Sequence, residues 1–228
     1  MGKTPRHIGY IVDGNRRWAE QRGWPASKGH AAGRKVLKQT FFDTIEAGVP
    51  YVSAYVFSTE NWKRSETEVN WLMRLLVRVL KNDLPEFIER GIRVRILGSR
   101  ERLSRVVCKA IDEAEQRTMS CTKGQALLCI NYGGQQEIVD AVRRLITDKV
   151  PADKVSPSCI EQYLYTPDVP PCDLIVRTSG EQRLSNFMLW RSAYSELMFL
   201  NKPWPDMTKT DVNAILEEYK QRGRRFGG

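Results

Sequence analysis

HIGYIVDGNRRWA, residues 7–19, joins a short apolar run to a polar turn and then to the start of a helix. An apolar run of this length that ends in a polar turn is typical of a buried strand. The carboxylate of Asp13 therefore stands at a strand end, and small and basic residues follow it. We expect this strand–turn–helix unit to be the first of a series that builds the whole fold.

The rest of the chain alternates in the same way. Short apolar runs predict further strands at 51–57, 92–97, 126–131 and 173–177, and 186–190 is a candidate for another. Apolar residues at helical spacing predict helices at 31–47, 66–90, 103–114, 135–147 and 208–221, and 148–158 is typical of a loop. Pro85 either kinks the second of these helices or starts a new one. The alternation predicts an α/β protein with a central, mostly parallel sheet flanked by helices.

Composition and charge limit the function. With 41% hydrophobic and 28% charged residues, the 228-residue chain is an ordinary globular protein, and we expect one domain spanning 1–228. The net charge of +9 favours an anionic partner, either a phosphate compound, a nucleic acid or an acidic membrane surface. Five cysteines without a CxxC spacing indicate reduced thiols and a cytoplasmic protein. Because 18 apolar residues never run together, any membrane contact is expected to be peripheral.

Several common motifs are absent from the sequence. It has no GxxxxGK[ST] loop, no GxGxxG after a strand and no HExxH, so ATP, dinucleotide and zinc-protease chemistry lack their usual support. Its basic residues are not clustered with aromatic residues between them, as they are in many nucleic-acid-binding motifs. We therefore expect no nucleic-acid partner.

The first candidate site is DGNRRW, residues 13–18. A carboxylate at a strand end suits a hard cation, while backbone N–H groups at a helix start and the guanidiniums of Arg16 and Arg17 suit phosphate oxygens. The segment thus fits a Mg2+-diphosphate group. The alternative is a polar turn in which Asp13 only caps a helix.

The second candidate site is FSTENWKR, residues 57–64. Short hydrogen-bonding side chains follow a strand here and precede Trp62 and Arg64, which suits a charged head beside an apolar chain. The alternative is a capped loop, because Ser65 and Glu68 fit a capping box that opens the next helix.

The third candidate site is RTSGEQRLSN, residues 177–186. Arg177, Arg183 and Ser185 place two guanidiniums and a hydroxyl around a glycine turn, and guanidinium geometry matches diphosphate oxygens. A surface salt-bridge loop is the alternative. Nearby, Glu196 lies in the apolar segment AYSELMF, where it needs either an arginine partner or a cation.

Seven segments follow one another along the chain: HIGYIVDGNRRWA, GH at 29–30, YVFSTENWKRS, NYGG, DLIVRTSGEQRLSNFMLW, AYSELMF and RRFGG. In order and spacing they resemble the cis-prenyltransferase family, which includes undecaprenyl diphosphate synthase. The resemblance implies a homodimer with a parallel sheet and an apolar tunnel beside it. It also implies a Mg2+-dependent condensation of isopentenyl diphosphate with an allylic diphosphate, such as farnesyl or geranylgeranyl diphosphate, to give a cis-polyprenyl diphosphate.

The resemblance also implies roles for individual residues. Asp13 would be the catalytic carboxylate and a Mg2+ ligand, Glu196 would complete the metal site, and Asn61 would stand in the proton-acceptor position beside Ser58. The allylic diphosphate would be held by Gly14, Asn15, Arg16, Arg17, Trp18, His30 and Arg64. Isopentenyl diphosphate would be held by Arg177, Arg183 and Ser185. Thr59, Glu60, Trp62 and Leu184 complete the expected substrate-binding set, and the RRFGG tail would reach toward the partner subunit's site.

The chain departs from the family pattern at three positions. Arg16 stands where many bacterial members have glycine, although both residues occur there. Ala26 stands where members often have an arginine that contacts the allylic diphosphate, and Lys28 or Arg22 are candidates to replace it. Val56 stands where long-chain bacterial members often have alanine, near the tunnel start. The helix at 66–90 is either a tunnel wall or an ordinary core helix.

Two other functions compete with catalysis. A non-catalytic partner subunit would share the fold, but such subunits typically lose the carboxylate that Asp13 retains here. A basic nucleic-acid-binding protein is the more distant alternative, and it would bind DNA in a salt-dependent way without diphosphate turnover.

Overall fold

A six-stranded, wholly parallel sheet forms the centre of the computed structural model, which describes residues 4–222. The strands are β1 His7–Ile11, β2 Tyr51–Ser58, β3 Ile92–Leu97, β4 Gly124–Tyr132, β5 Leu174–Arg177 and β6 Glu196–Phe199, in the order β3-β4-β2-β1-β5-β6. The helices are α1 Asn15–Glu20, α2 Ala26–Glu46, α3 Glu66–Asn82, α4 Leu84–Glu89, α5 Arg105–Arg117, α6 Gly134–Thr147, α7 Pro157–Tyr163 and α8 Lys209–Gln221. Short 3-10 turns occur at Thr59–Lys63, Ala152–Lys154 and Trp204–Asp206. The predicted fold class is therefore confirmed.

Strand β1 lies at the middle of the sheet, between β2 and β5. Ile11 pairs with Tyr55 of β2 and with Arg177 of β5, so β1 and β5 end level, while β2 continues three residues further to Ser58. Because carboxyl ends of parallel strands meet at one edge, the polar residues that follow them converge there. This register brings together the first three predicted segments.

The sheet is covered on both faces by apolar side chains. One face packs on α2, α3, α4, α5 and α8 through a large cluster that includes Phe41, Leu80 and Ile111. The other face packs on Phe187 and Met188, which belong to the loop after β5. Among residues 4–222, no helix combines the length and the apolar character that crossing a membrane requires.

Pro85 starts a new helix and does not kink an existing one. Helix α3 ends at Asn82, and Pro85 occupies the first turn of α4, where its missing N–H costs nothing. At the other end of α3, Ser65 accepts a hydrogen bond from the backbone N–H of Glu68, while the Glu68 carboxylate accepts one from Arg64 at 2.9 Å. The Ser65 half of the predicted capping box is thus present, whereas the Glu68 side chain forms an ion pair with Arg64.

The candidate strand at 186–190 is wrong, and a strand that was not predicted lies at Glu196–Phe199. Asn186 and Met188 have φ values of 67° and 46°, in the left-handed region that an extended strand excludes. The apolar run reflects burial of the loop beneath the sheet. Strand β6 was missed because it is only four residues long and half-exposed at the sheet edge.

His7 is a fully buried histidine whose neutral form the fold requires. Its Nδ1 donates to the carbonyl of Pro170 at 2.8 Å, and its Nε2 accepts from the Ser53 hydroxyl at 2.7 Å. Burial, aided by the charge of Arg191, lowers the pKa of His7 from 6.5 to about 4 although the Pro170 carbonyl opposes the shift. The neutral ring thus links β1, β2 and the segment before β5.

We expect this histidine to make the protein sensitive to acid. Because its pKa is lower in the folded state, the unfolded chain binds more protons between pH 6.5 and 4, and the stabilisation is complete only above pH 6.5. Lowering the pH from 6.5 to 5 should cost roughly 2 kcal/mol in the free energy of unfolding. Urea unfolding at both pH values tests this, with His7→Gln as the non-titrating control. An equal loss of stability in both proteins would exclude His7 as the cause.

Candidate active site

A pocket of about 550 Å3 opens at the carboxyl edge of β1, β2 and β5. It is lined by residues from the three predicted polar segments and their neighbours: Ile11, Val12, Asp13, Tyr55, Ser58, Glu60, Asn61, Arg64, Arg177, Ser185 and Asn186. The structure therefore brings Asp13, Asn61 and Arg177 into one cleft, although they are far apart in the sequence.

Asp13 and Arg177 form the charged centre of this pocket. Arg177 donates from one terminal nitrogen to the Asp13 carboxylate at 2.9 Å and from the other to the Ser185 hydroxyl at 2.8 Å and to the Arg183 carbonyl. The Arg177 side chain is 5% exposed, whereas that of Asp13 is 31% exposed. Arg177 Nε is buried and finds no acceptor among the described residues. The pocket thus presents an open carboxylate over a buried, partly unsatisfied guanidinium.

Glu181 connects the first and third segments. Its carboxylate lies 3.2 Å from a terminal nitrogen of Arg17 and 2.5 Å from one of Arg183. Arg17 also lies 3.7 Å from Asp13. Three arginines therefore converge on two carboxylates at the pocket rim, an arrangement that suits anionic groups able to replace those carboxylates. The sequence analysis assigned no role to Glu181.

Gly14 and Asn15 hold the turn in place. Gly14 has φ 99°, and a Cβ there would lie 2.5 Å from the Ser179 hydroxyl oxygen. Asn15 donates to the Val12 carbonyl at 3.0 Å and packs on α2, where a Cβ at Gly29 or Gly33 would lie 1.9 or 2.0 Å from its oxygens. The glycines of α2 thus let α1 approach closely and fix the position of Asp13.

Two residues of the first segment lie away from the pocket. Arg16 pairs with Glu20 on the exposed side of α1 at 2.7 Å. The Trp18 indole donates to Asp206 at 2.6 Å, and its ring contacts the Arg22 guanidinium at 4.2 Å. Neither side chain lines the pocket in this structure.

The Ser58–Arg64 turn is held by its own side chains. Ser58 accepts from the backbone N–H of Asn61, and Asn61 Oδ1 accepts from that of Ser58 at 3.1 Å. Trp62 donates to Asn131 Oδ1 at 2.7 Å. The Asn131 amide in turn donates to the carbonyls of Ser99 and Glu101, so this strand-end residue positions the turn.

The remaining residues of the expected set are more peripheral. Thr59 donates to the Glu60 carboxylate at 3.2 Å, and Leu184 packs against the apolar cluster around Phe187. The pKa of Glu60 is lowered: its burial acts in the opposite direction, but hydrogen bonds, first that from Asn186, outweigh it. Glu60 is therefore ionised at neutral pH.

A narrow apolar cavity of about 110 Å3 lies beside the pocket, between α2, α3, α4 and the sheet. Val56, Leu72, Leu76 and Leu80 are among its lining residues, and Val12 lines both the cavity and the pocket. His30 also lines the cavity, with its ring centre 5.8 Å from that of Trp71. Burial and then the charge of Arg64 lower the pKa of His30, against the opposing effect of Glu68, so its imidazole is neutral.

Glu196 does not join Asp13 in this chain. It opens β6 opposite Leu174, whereas Arg177 stands three residues further along β5, about 10 Å by strand rise. Its carboxylate instead lies 3.3 Å from Arg222. Within residues 4–222 no group of three or more His, Cys, Asp or Glu side chains is arranged to hold a metal. The partly exposed Asp13 carboxylate is an oxygen ligand of the kind that a hard cation prefers.

The chain matches known proteins over nearly its whole length. A family model described as "Putative undecaprenyl diphosphate synthase" matches residues 11–227. An isoprenyl transferase of Thermotoga maritima is 46% identical, covering 99% of this chain and 98% of its own. A trans,polycis-polyprenyl diphosphate synthase of Thermobifida fusca, specific for (2Z,6E)-farnesyl diphosphate, is also 46% identical, covering 98% of this chain and 81% of its own.

Two solved structures are similar in fold. Lavandulyl diphosphate synthase from Lavandula x intermedia, in complex with dimethylallyl diphosphate, superposes with a TM-score of 0.95 at 32% identity and 99% coverage of both chains. A probable undecaprenyl diphosphate synthase from Campylobacter jejuni gives 0.85 at 31% identity, with both chains fully covered.

Proposed function

The chain belongs to the cis-prenyltransferase family and is a transferase of that kind, and on this premise we propose that it joins isopentenyl diphosphate to an allylic diphosphate with the aid of Mg2+. The product would be a cis-polyprenyl diphosphate, and residues 1–228 would act as one catalytic domain. The single observation that carries the proposal is the meeting of a carboxylate–arginine pocket and an apolar cavity at Val12. A prenyl diphosphate needs both environments side by side.

The arginines divide naturally between two diphosphate groups. Arg177, Arg183 and Ser185 surround one side of the pocket and suit isopentenyl diphosphate, while Arg17 with the N–H groups at the start of α1 suits the allylic diphosphate beside Asp13. Binding would move Glu181 off the two arginines that it now bridges. The allylic hydrocarbon would then enter the cavity past Val12.

Loss of diphosphate from the allylic carbon builds negative charge on the leaving oxygen. The Arg17 guanidinium, 3.7 Å from Asp13, would stabilise that charge as it forms. Mg2+, for which Asp13 is the proposed protein ligand, would supply further Lewis-acid stabilisation. We retain the proposal that Glu196 is a metal ligand. Within a single described chain Glu196 and Asp13 lie apart, so this role requires that Glu196 approach the metal in some other arrangement.

The proton that leaves after carbon–carbon bond formation needs an acceptor. Asn61 is the residue proposed for this position, but its Oδ1 already accepts from Ser58, and an amide is a weak base. We infer that Asn61 orients the reacting group and that a diphosphate oxygen or a water molecule takes the proton.

One assay tests the proposed function. The protein is incubated with labelled isopentenyl diphosphate, Mg2+ and allylic primers of several lengths, and the products are sized by chromatography. We expect labelled chains longer than each accepted primer, with cis geometry at the new double bonds. Failure to extend any primer would refute the proposal, and salt-dependent DNA binding in its place would favour a nucleic-acid function.

We expect Leu76→Ala to shift the products toward longer chains. Leu76 lines the apolar cavity, so shortening it opens space for the growing hydrocarbon. Leu216 is equally well buried in α8 but does not line the cavity, and Leu216→Ala is therefore the matched control. The control should cost about 2–5 kcal/mol of stability and leave product length unchanged. Identical products from both variants would make α3 an ordinary core helix.

The remaining expectations concern assembly and location. We propose a homodimer, supported by an exposed apolar stripe on α6 formed by Val139, Val142 and Ile146. We also propose a cytoplasmic protein whose membrane contact, where it occurs, is peripheral. The RRFGG tail lies outside the described residues, so its contact with the partner subunit's site stays a prediction.

A further inference from the structure

Asn186 lies between the two halves of the pocket and has no role assigned above. It follows Ser185, and both residues have left-handed backbones, with φ values of 67° and 48°. Asparagine adopts this conformation more readily than most residues. The two strained residues turn the loop so that Ser185 faces Arg177 while Asn186 faces the Ser58–Arg64 turn.

Asn186 caps α6 from outside that helix. The helix starts after Gly133, which has no side chain to accept from the first N–H groups. The Asn186 carbonyl accepts from the N–H of Gly134 at 2.7 Å, and its Oδ1 accepts from that of Gln135 at 2.8 Å. Because only the oxygen of the amide can accept, the orientation of the side chain is determined, and its NH2 group must point the other way.

That NH2 group donates to the Glu60 carboxylate at 2.9 Å. Glu60 is the residue before Asn61 in the 3-10 turn. A Cβ at Gly133 would lie 2.8 Å from Asn186 Nδ2 and 2.6 Å from Thr59 Oγ1, so the loop and the turn approach each other over this glycine. The contacts form a continuous path from Arg177 through Ser185 and Asn186 to Glu60.

We propose that Asn186 is a positioning residue that sets the separation between the Arg177–Ser185 anion site and the turn carrying Asn61. The inference rests on the proposed function and deepens it. In a condensation, the two reacting carbons must approach within about 3–3.5 Å, and a displacement of about 1 Å can cost about 100-fold in rate. A hydrogen bond that ties the two substrate-binding segments together limits such a displacement.

Asn186→Asp separates this role from helix capping. The aspartate keeps an oxygen for the N–H of Gln135, and a carboxylate is favourable at a helix N-terminus. The second oxygen of the aspartate, however, faces the ionised Glu60. The hydrogen bond between the loop and the turn is thus replaced by a repulsion between two carboxylates. We expect kcat to fall about 10-fold or more, with only a small decrease in the midpoint of urea unfolding and a smaller change in the KM for isopentenyl diphosphate.

Glu60→Gln supplies the rescue. Combined with Asn186→Asp, the glutamine NH2 group can donate to the aspartate, which restores the hydrogen bond in the reverse direction. We expect the double variant to recover kcat to within about 3-fold of Glu60→Gln alone, a factor that corresponds to less than one ordinary hydrogen bond. A merely structural Asn186 predicts no such recovery.

Kinetics of the wild type and these three variants in one series decide between the outcomes. Turnover by the wild type tests the proposed function itself. A loss of kcat in the variants alone can therefore be distinguished from a protein that lacks the activity altogether. Wild-type kcat in Asn186→Asp, or a double variant no better than the single one, would overturn the inference. Should Asn186→Asp fail to fold, Glu60→Leu breaks the same contact without touching α6, and wild-type kcat in that variant would overturn the inference equally.

Discussion

Asp13→Ala is expected to lower kcat by at least about 100-fold while changing the KM for either substrate much less. The carboxylate is the open acidic group at the centre of the pocket, and it holds one end of the buried Arg177 guanidinium. Diphosphate binding would be retained in the variant, because three arginines still face the ligands. The stabilisation of the leaving group, which depends on the cation that Asp13 is proposed to hold, would be lost.

Asp13→Asn is the informative companion of this variant. The amide preserves the shape of the turn and can still accept from the Gly14 N–H, which bonds to the carboxylate at 2.7 Å in this structure. We expect it to be nearly as inactive as the alanine variant, since charge rather than shape is what the cation needs. Near-normal kcat in Asp13→Ala, measured by steady-state kinetics with saturating Mg2+, would overturn the assignment.

Arg177→Ala is expected to lower kcat/KM for isopentenyl diphosphate by about 30-fold or more, with a smaller effect on the KM of the allylic primer. Truncating one partner of a buried charge pair typically costs about 2–5 kcal/mol, and because Asp13 is partly exposed we expect the lower end of that range. Here the loss is also expected because the Ser185 hydroxyl and the Arg183 carbonyl both depend on Arg177 for their positions.

Arg117→Ala provides the control for Arg177. Arg117 is an exposed arginine on α5 that lies 3.8 Å from Glu113, one helical turn away, so its removal should leave both kinetic constants unchanged. Arg177→Lys should remain strongly impaired, because an ammonium cannot bridge Asp13 and Ser185 as a planar guanidinium does. An Arg177→Ala enzyme with normal kinetics for isopentenyl diphosphate would remove Arg177 from the substrate site.

Much of the fold could be predicted because its strands are short, buried and apolar. β1, β2, β4 and β5 end in recognisable polar turns, and a parallel sheet brings such ends together without further information. β6 was not predicted because an edge strand of four half-exposed residues shows too short a pattern of alternating apolar and polar side chains. The apolar run at 186–190 was wrongly predicted to be a strand, because residues buried beneath a sheet need not have an extended backbone. Asn186 and Met188 have left-handed backbone conformations.

The site was predictable in part. Asp13, Ser58 and Arg177 stand at or just past strand ends, which a parallel sheet brings to one edge, and they line the pocket with Asn61 and Ser185. Glu181 and Asn186 could not have been singled out, because their importance comes from contacts with segments far away in the sequence, Arg17 in one case and Glu60 in the other.

The sequence analysis singled out Trp18, Arg16 and Glu196, but their side chains do not line the pocket. Each lies in a segment typical of the family, yet in the described chain Trp18 and Arg16 make local contacts and Glu196 opens a strand at the other end of the sheet. A motif predicts which segment contributes to a site. The direction in which each side chain points depends on helix phase and strand register, which only the structure supplies.

The most direct measurement is the crystal structure of the protein with Mg2+, isopentenyl diphosphate and an unreactive thiolo analogue of an allylic diphosphate. We predict one diphosphate against Arg177, Arg183 and Ser185, the other beside Asp13 and Arg17, and the allylic hydrocarbon in the cavity lined by Leu76. Diphosphates bound elsewhere on the molecule, with neither Asp13 nor Arg177 in contact with them, would contradict the proposed site.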